Sequence, residues 1–171
     1  MSHTTISAGK NPPKDVNVFI EIPQNGNIKY ELDKETNTVF VDRFLHTAFA
    51  YPFNYGFIPG TLAEDGDPVD VLVIADRPIQ PGVVIPSCPI GLLEMEDEEG
   101  IDTKIIAVPT KKIDPYFGTW TTITDVPEAT KAKIKHFFEH YKELEPGKWV
   151  KIKDWQDQKE AYASIEKAME K

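Results

Sequence analysis

Glu64-Asp65-Gly66-Asp67-Pro68-Val69-Asp70-Val71-Leu72-Val73 places three aspartates within six residues and runs straight into apolar sequence. In extended backbone, side chains two apart share a face, so Asp65 and Asp67 are expected to point the same way. Gly66 permits a tight bend between them, and Pro68 keeps Asp67 out of helical backbone. Asp70 rejoins the pair only if the chain turns near Gly66 or Pro68. Val71 to Ile74 then reads as a buried strand that holds the cluster in place. Carboxylates this dense repel: two of them about 4 Å apart cost roughly 4 kcal/mol at an effective dielectric of 20. Splaying into water, protonation, pairing with Lys or Arg, or binding a hard cation such as Mg2+, Mn2+ or Ca2+ would each relieve that repulsion. Taken alone, the stretch favours a solvated turn before a strand over a metal site, because Asp, Gly and Pro are the common turn residues.

Two related motifs are excluded. An EF-hand loop needs an oxygen ligand at its fifth position, Gly at its sixth and Glu at its twelfth; counting from Asp65 gives Val69, Asp70 and Asp76. The Asp-x-Asp pattern of haloacid-dehalogenase-type phosphatases has its apolar strand before the aspartates, whereas here it follows them.

At 171 residues the chain is expected to form one domain over 1–171, able to bury roughly 70% of its unfolded surface. Its 40% hydrophobic and 27% charged content are those of a soluble globular protein. No stretch is apolar enough to span a bilayer, the start lacks a signal-peptide core, and the lone cysteine, Cys88, fits a reducing cytoplasm. The net charge of −9 repels nucleic acid and anionic membrane, and an anionic substrate would need cations to mediate.

Working outward, residues 1–16 form a polar arm and Val16 to Pro23 a strand with Glu21 between two apolar neighbours. Asn25-Gly26-Asn27 is a hairpin turn. Ile28 to Asp33 alternates with period two, so Lys29 and Glu31 share one face. Thr38 to Arg43 is a further strand, and Phe49 to Gly60 an aromatic, loop-like stretch whose Tyr51 and Tyr55 suit either a core or an anion site. Val83 to Ile85 and Ile90 to Leu93 read as two strands around a proline-rich bend. The acidic run Glu94 to Asp102 reads mainly as a solvated hairpin tip, and Lys104 to Val108 as the returning strand, with Asp102 and Lys104 on one face. Asp125-Val126-Pro127-Glu128 caps a helix bearing Ile134, Phe137, Phe138 and Tyr141, which Pro146-Gly147 stops. His136 and His140 have zinc-compatible spacing but no third ligand nearby, which favours packing or a subunit contact. Trp149 to Ile152 is a strand candidate, and Asp157 caps a last amphipathic helix carrying Tyr162, Ile165 and Met169. Many short strands and two late helices give a mainly β (α+β) chain, a small barrel with the helices packed outside it.

The scattered polar residues make one chemical set. Glu21, Glu31, Asp65, Asp67, Asp70, Asp97 and Asp102 are acidic, while Lys29, Arg43, Tyr51, Tyr55, Lys104, Tyr141 and Lys142 are cationic or phenolic. Carboxylates to hold divalent ions, with Lys, Arg and Tyr to grip oxyanions, are what metal-assisted phosphoryl transfer to water requires. Asp65-Gly66-Asp67-Pro68-Val69-Asp70-Val71, Ile20-Glu21-Ile22-Pro23, Lys29-Tyr30-Glu31, Phe40-Val41-Asp42-Arg43, Tyr51-Pro52-x-Asn54-Tyr55-Gly56 and His136-Phe137-Phe138-Glu139-His140-Tyr141-Lys142 together resemble the family I (soluble) inorganic pyrophosphatases of the bacterial type. The resemblance implies a five-stranded OB-like β-barrel with two C-terminal α-helices outside. It implies several Mg2+ ions per site, with Mn2+ or Zn2+ as substitutes, and a cytoplasmic homohexamer in which the His136 and His140 helix meets a neighbouring subunit. It further implies hydrolysis of diphosphate to two phosphates by in-line attack of metal-activated water, without a phosphoenzyme. On this resemblance Asp65, Asp70 and Asp102 are metal ligands, Asp97 completes another metal position and Asp67 is the general base. Lys29, Arg43, Tyr55, Lys104, Tyr141 and Lys142 bind phosphate, with Glu21, Glu31 and Tyr51 in support. The alternatives are an OB-type nucleic-acid module, disfavoured by the net negative charge, and a phosphomonoesterase, for which no apolar leaving-group pocket is evident.

Overall fold

Seven residues of nearly continuous burial, Val16–Ile22, form strand β1 of the computed structural model, which describes residues 6–169. Residues 1–5 of the expected N-terminal arm lie outside that range. β1 pairs antiparallel with β4 (Asn54–Ile58), and β4 pairs antiparallel with β5 (Val69–Val73). β5 runs parallel to β7 (Gly100–Pro109), β7 pairs antiparallel with β6 (Val84–Asp97), and β6 returns to β1. The pairing closes a five-strand ring, the OB-like barrel expected from the sequence. β8 (Val150–Asp157) pairs antiparallel with β6 outside the ring, while β2 (Ile28–Asp33) and β3 (Thr38–Phe44) form a separate two-stranded sheet.

Four local expectations are corrected. The two strands expected around a proline bend are one 14-residue strand, β6, because a register shift between Pro89 and Gly91 absorbs the bend without breaking the ladder. The aromatic stretch is not all loop: Asn54–Ile58 lies between two partner strands, and the buried Asn54 side chain satisfies the loops beside it. Its Oδ1 accepts from Gln24 N–H at 2.9 Å and Ile79 N–H at 2.8 Å, and its Nδ2 donates to the Arg77 carbonyl. Asn25-Gly26-Asn27 turns the chain but joins no hairpin, since β2 takes β3 as its partner, through a turn in which Asn37 has φ 54°. Asp125 accepts from the N–H groups of Thr121 and Thr122 and caps a short 3-10 turn, leaving α1 (Glu128–His140) to start directly after Pro127.

Period-two alternation divides the strands between two apolar clusters. Ile22, Leu72, Leu93 and Ile106 pack with Ile134, Phe137 and Phe138 of α1. Their neighbours Val71, Leu92 and Ile105 join the other cluster, with Ala161, Ile165 and Ala168 of α2 (Gln158–Met169); Ile20 joins it too, although it lies two before Ile22, because the register shifts between them. That stripe on α2 corrects the expected one: Ile165 is buried, but Met169 is exposed and Tyr162 only half-buried, because the buried face runs through Ala161, Ile165 and Ala168 and each of the other two lies one position off it. Among the described residues no helix is long and apolar enough to cross a membrane.

Gly56 marks the tightest strand contact, since a Cβ there would lie 1.9 Å from the Phe19 carbonyl oxygen of β1. Gly56→Ala is expected to cost about 2–4 kcal/mol, read as a lower urea midpoint at unchanged slope. An unchanged midpoint would mean that β1 and β4 separate at no cost.

Candidate active site

Parallel pairing of β5 and β7 puts Asp70 opposite Lys104, and Asp102, two residues before Lys104, shares its face. The Lys104 Nζ donates to Asp70 Oδ2 at 2.8 Å and to the Tyr55 hydroxyl at 2.8 Å, and lies 3.0 Å from Asp102 Oδ2. It also sits over the Tyr55 and Phe138 rings. Burial disfavours its ammonium, but Asp70, Tyr55 and Asp102 outweigh burial and hold it well above the ordinary lysine range. Burial pushes the Asp70 carboxyl up, against the pull of Lys104. Burial also raises Tyr51, Tyr55 and Tyr141, so all three stay phenols able to donate.

Asp65 and Asp67 come from the loop before β5. Gly66 has φ +88°, Asp65 Oδ1 accepts the Asp67 N–H at 3.0 Å, and the Asp67 carbonyl accepts the Ala63 N–H at 2.7 Å. This turn leaves the Asp67 side chain exposed, while Asp70 is anchored in the strand. The expected turn thus brings Asp65, Asp67 and Asp70 to one cleft.

The cleft holds about 810 Å³ and is lined by all fourteen residues of the acidic and the cationic or phenolic sets drawn from the sequence. Lys142 Nζ meets Asp97 Oδ2 at 3.0 Å and Glu98 Oε2 at 3.3 Å, and Glu98 also pairs with Lys148 at 3.1 Å. On the β2–β3 sheet, Asp42 joins Lys29 at 3.5 Å to the adjacent Arg43. Glu31 and Tyr51 line the wall. Glu21 Oε2 accepts the Leu32 N–H at 2.8 Å, so it tethers β2 to β1 through the backbone. Among the described residues no three Asp, Glu, His or Cys side chains enclose a single point tightly enough for a metal ion as they stand. Lys104 occupies the space between Asp70 and Asp102. The donor chemistry nevertheless fits hard divalent ions, because all the ligand candidates are carboxylates facing one open cleft.

Sequence reasoning missed Asp42, Glu98, Glu145 and Lys148. Asp42 was visible beside Arg43. Glu98 was hidden in the acidic run, whose reading as a solvated tip is corrected: the β6–β7 ladder reaches Asp97 and Gly100, leaving only Glu98 and Glu99 beyond it. Lys148 and Glu145 lie past the helix end, where no periodicity points inward. His136 meets the Phe49 ring edge-on and His140 stacks on it, away from the cleft, and His140 Nδ1 lies 2.8 Å from Glu143.

A model of the inorganic pyrophosphatase family matches residues 18–171. The inorganic pyrophosphatase of Aquifex pyrophilus is 60% identical over 170 residues, covering 99% of this chain and 96% of its own length. That of Aeropyrum pernix is 57% identical over 166 residues, covering 97% and 94%. The solved structure of the Thermus thermophilus inorganic pyrophosphatase superposes with a TM-score of 0.94 at 44% identity, covering 97% of this chain and 95% of that one.

Burial pushes the Glu21 carboxyl up from 4.5 to about 7, against the pull of the Leu32 N–H. A group whose folded pKa is raised contributes stability that is fully present below its unfolded pKa and is lost as pH rises through the folded one. In chelator-treated protein, stability is therefore expected to fall between pH 5 and 8 by roughly 2–3 kcal/mol more in the wild type than in Glu21→Gln, measured by urea unfolding. Parallel profiles would mean that Glu21 titrates as it does in water.

Proposed function

Because the chain belongs to the inorganic pyrophosphatase family and is a hydrolase of the phosphoanhydride bond of diphosphate, we propose that it works by direct in-line attack of water, with divalent ions held in this cleft and without a phosphoenzyme. The observation that carries the proposal is the juxtaposition of Asp65, Asp67, Asp70, Asp97 and Asp102 with Lys29, Arg43, Lys104 and Lys142 around one polar cleft. A small, highly charged anion with no organic leaving group suits such walls. An apolar monoester would find little to pack against.

Asp65, Asp70 and Asp102 would hold the tighter ions, and Asp97 would contribute to another position, with Mg2+ as the natural ion and Mn2+ or Zn2+ as substitutes. Bound there, such ions supply positive charge and lower the pKa of water from about 15.7 toward about 7. Asp67 is the general base: its exposed carboxylate stands beside Asp65 on the loop rim, where it accepts the proton of the attacking water. Arg43 offers two parallel N–H donors to a phosphate, while Lys29, Lys104 and Lys142 act as point charges. Tyr55 and Tyr141 donate from phenols that burial keeps protonated. Together they neutralise charge as the bridging bond breaks and the leaving phosphate departs. Glu21 holds the β2–β3 sheet that carries Lys29 and Arg43, while Glu31 and Tyr51 shape the wall.

The same proposal includes a cytoplasmic homohexamer built on one domain over 1–171. The exposed His136, its ring 4.7 Å from that of His140 on α1, supports a subunit contact there. Asp67→Asn is expected to keep the thermal midpoint and lose about 100-fold or more of turnover, measured as phosphate released from diphosphate. Full retained turnover would remove Asp67 from the base role.

A further inference from the structure

We propose that Glu145 is a positioning residue for diphosphate binding: it holds the Arg43 guanidinium by its Nε edge, so that Arg43 presents its remaining N–H groups to phosphate in one orientation. The proposal rests on Arg43 being a phosphate ligand, as in the function above. Arg43, Asp42, Lys142 and Lys148 line the cleft, but Glu145 does not. It is only 8% exposed, and its Oε1 lies 2.9 Å from Arg43 Nε. The backbone that carries it is fixed by the turn after α1. The Glu145 N–H donates to the Lys142 carbonyl at 3.1 Å, and the Glu145 carbonyl accepts the Lys148 N–H at 3.2 Å. One turn therefore sets two cleft lysines and the carboxylate behind the cleft arginine.

The energetics point away from a purely structural role. A buried carboxylate stabilises a fold only when it is paired and fully hydrogen-bonded. Glu145 Oε2 is buried with no hydrogen-bond partner, and the Arg43 Nε–H is not aligned to bond at all. As a stabilising device the pair is poor, since a neutral side chain of the same shape would avoid the desolvation. As a clamp it is effective. An unanchored arginine must give up its rotamer freedom when it binds phosphate, whereas a charge held against its Nε edge removes much of that freedom beforehand. At the other edge, Arg43 Nη1 reaches Asp42, which itself lines the cleft and also lies 3.5 Å from Lys29. Glu145 and Asp42 thus set a negative charge against the Nε and the Nη1 of the guanidinium, which leaves Nη2 and the rest of that edge for phosphate.

The test is KM and kcat with diphosphate for Glu145→Gln and Glu145→Ala, each in the wild-type and Arg43→Ala backgrounds, with thermal midpoints alongside. Glu145→Ala is expected to raise KM about tenfold with kcat held within about twofold, and Glu145→Gln to raise KM less while leaving the midpoint unchanged or higher. In the Arg43→Ala background neither substitution should raise KM further, because the group Glu145 acts through is gone. An equal rise in both backgrounds, or a loss of stability and kcat with KM unmoved, would make Glu145 structural and overturn the proposal. If Arg43→Ala raises KM while the Glu145 variants do not, the proposal alone fails. If Arg43→Ala leaves KM unchanged, the phosphate role of Arg43 fails and takes the proposal with it.

Discussion

Lys104 is the interaction on which the rest of the site depends. Its ammonium is nearly inaccessible to water and lies within hydrogen-bond reach of Asp70, Asp102 and Tyr55. Without it, two carboxylates on adjacent strands would face each other across a poorly solvated gap, a repulsion of roughly 4 kcal/mol at 4 Å and an effective dielectric of 20. The position of Lys104 follows from strand register: β5 and β7 run parallel with Asp70 opposite Lys104. A slip of one residue would turn the lysine toward the opposite cluster and bring uncharged Thr103 or Ile105 to the site. The fold and the charge arrangement therefore specify each other.

The same alternation explains why the site borders the α1 core. Asp70 is followed two residues later by Leu72, and Lys104 by Ile106, and both apolar residues pack in the cluster that includes Phe137 and Phe138. β5 and β7 are apolar and buried toward their later residues and carry their polar residues near their starts, where the cleft opens. α1 closes the apolar part with its phenylalanines. The turn after it then supplies Tyr141, Lys142, Glu145 and Lys148, so one segment completes both the core and the cationic wall.

The strands that alternate cleanly were legible in the sequence, as were the aspartates around Gly66, because Gly, Pro and Asp have local conformational consequences. The five-strand closure came from the family resemblance, since β1 meets β6 only in space. Residues 54–58 were obscured by aromatic and proline neighbours, and only the close approach of Gly56 to β1 shows why a strand lies there. The continuity of β6 was hidden by its prolines, which a bulge accommodates. Glu145 left no local signal, because its importance lies in a contact with Arg43 from a strand about a hundred positions earlier. Residues acting through their own backbone geometry could be read, and those acting through a distant partner could not.

The central claim is that this carboxylate-walled cleft hydrolyses diphosphate only when divalent ions offset the charge of both wall and substrate. The most direct measurement is phosphate release from diphosphate by chelator-treated protein, before and after Mg2+ is restored. Rapid release that appears only with the metal, with little release from organic phosphomonoesters, is the predicted result. Release at full rate under chelation, or none with any divalent ion, would contradict it.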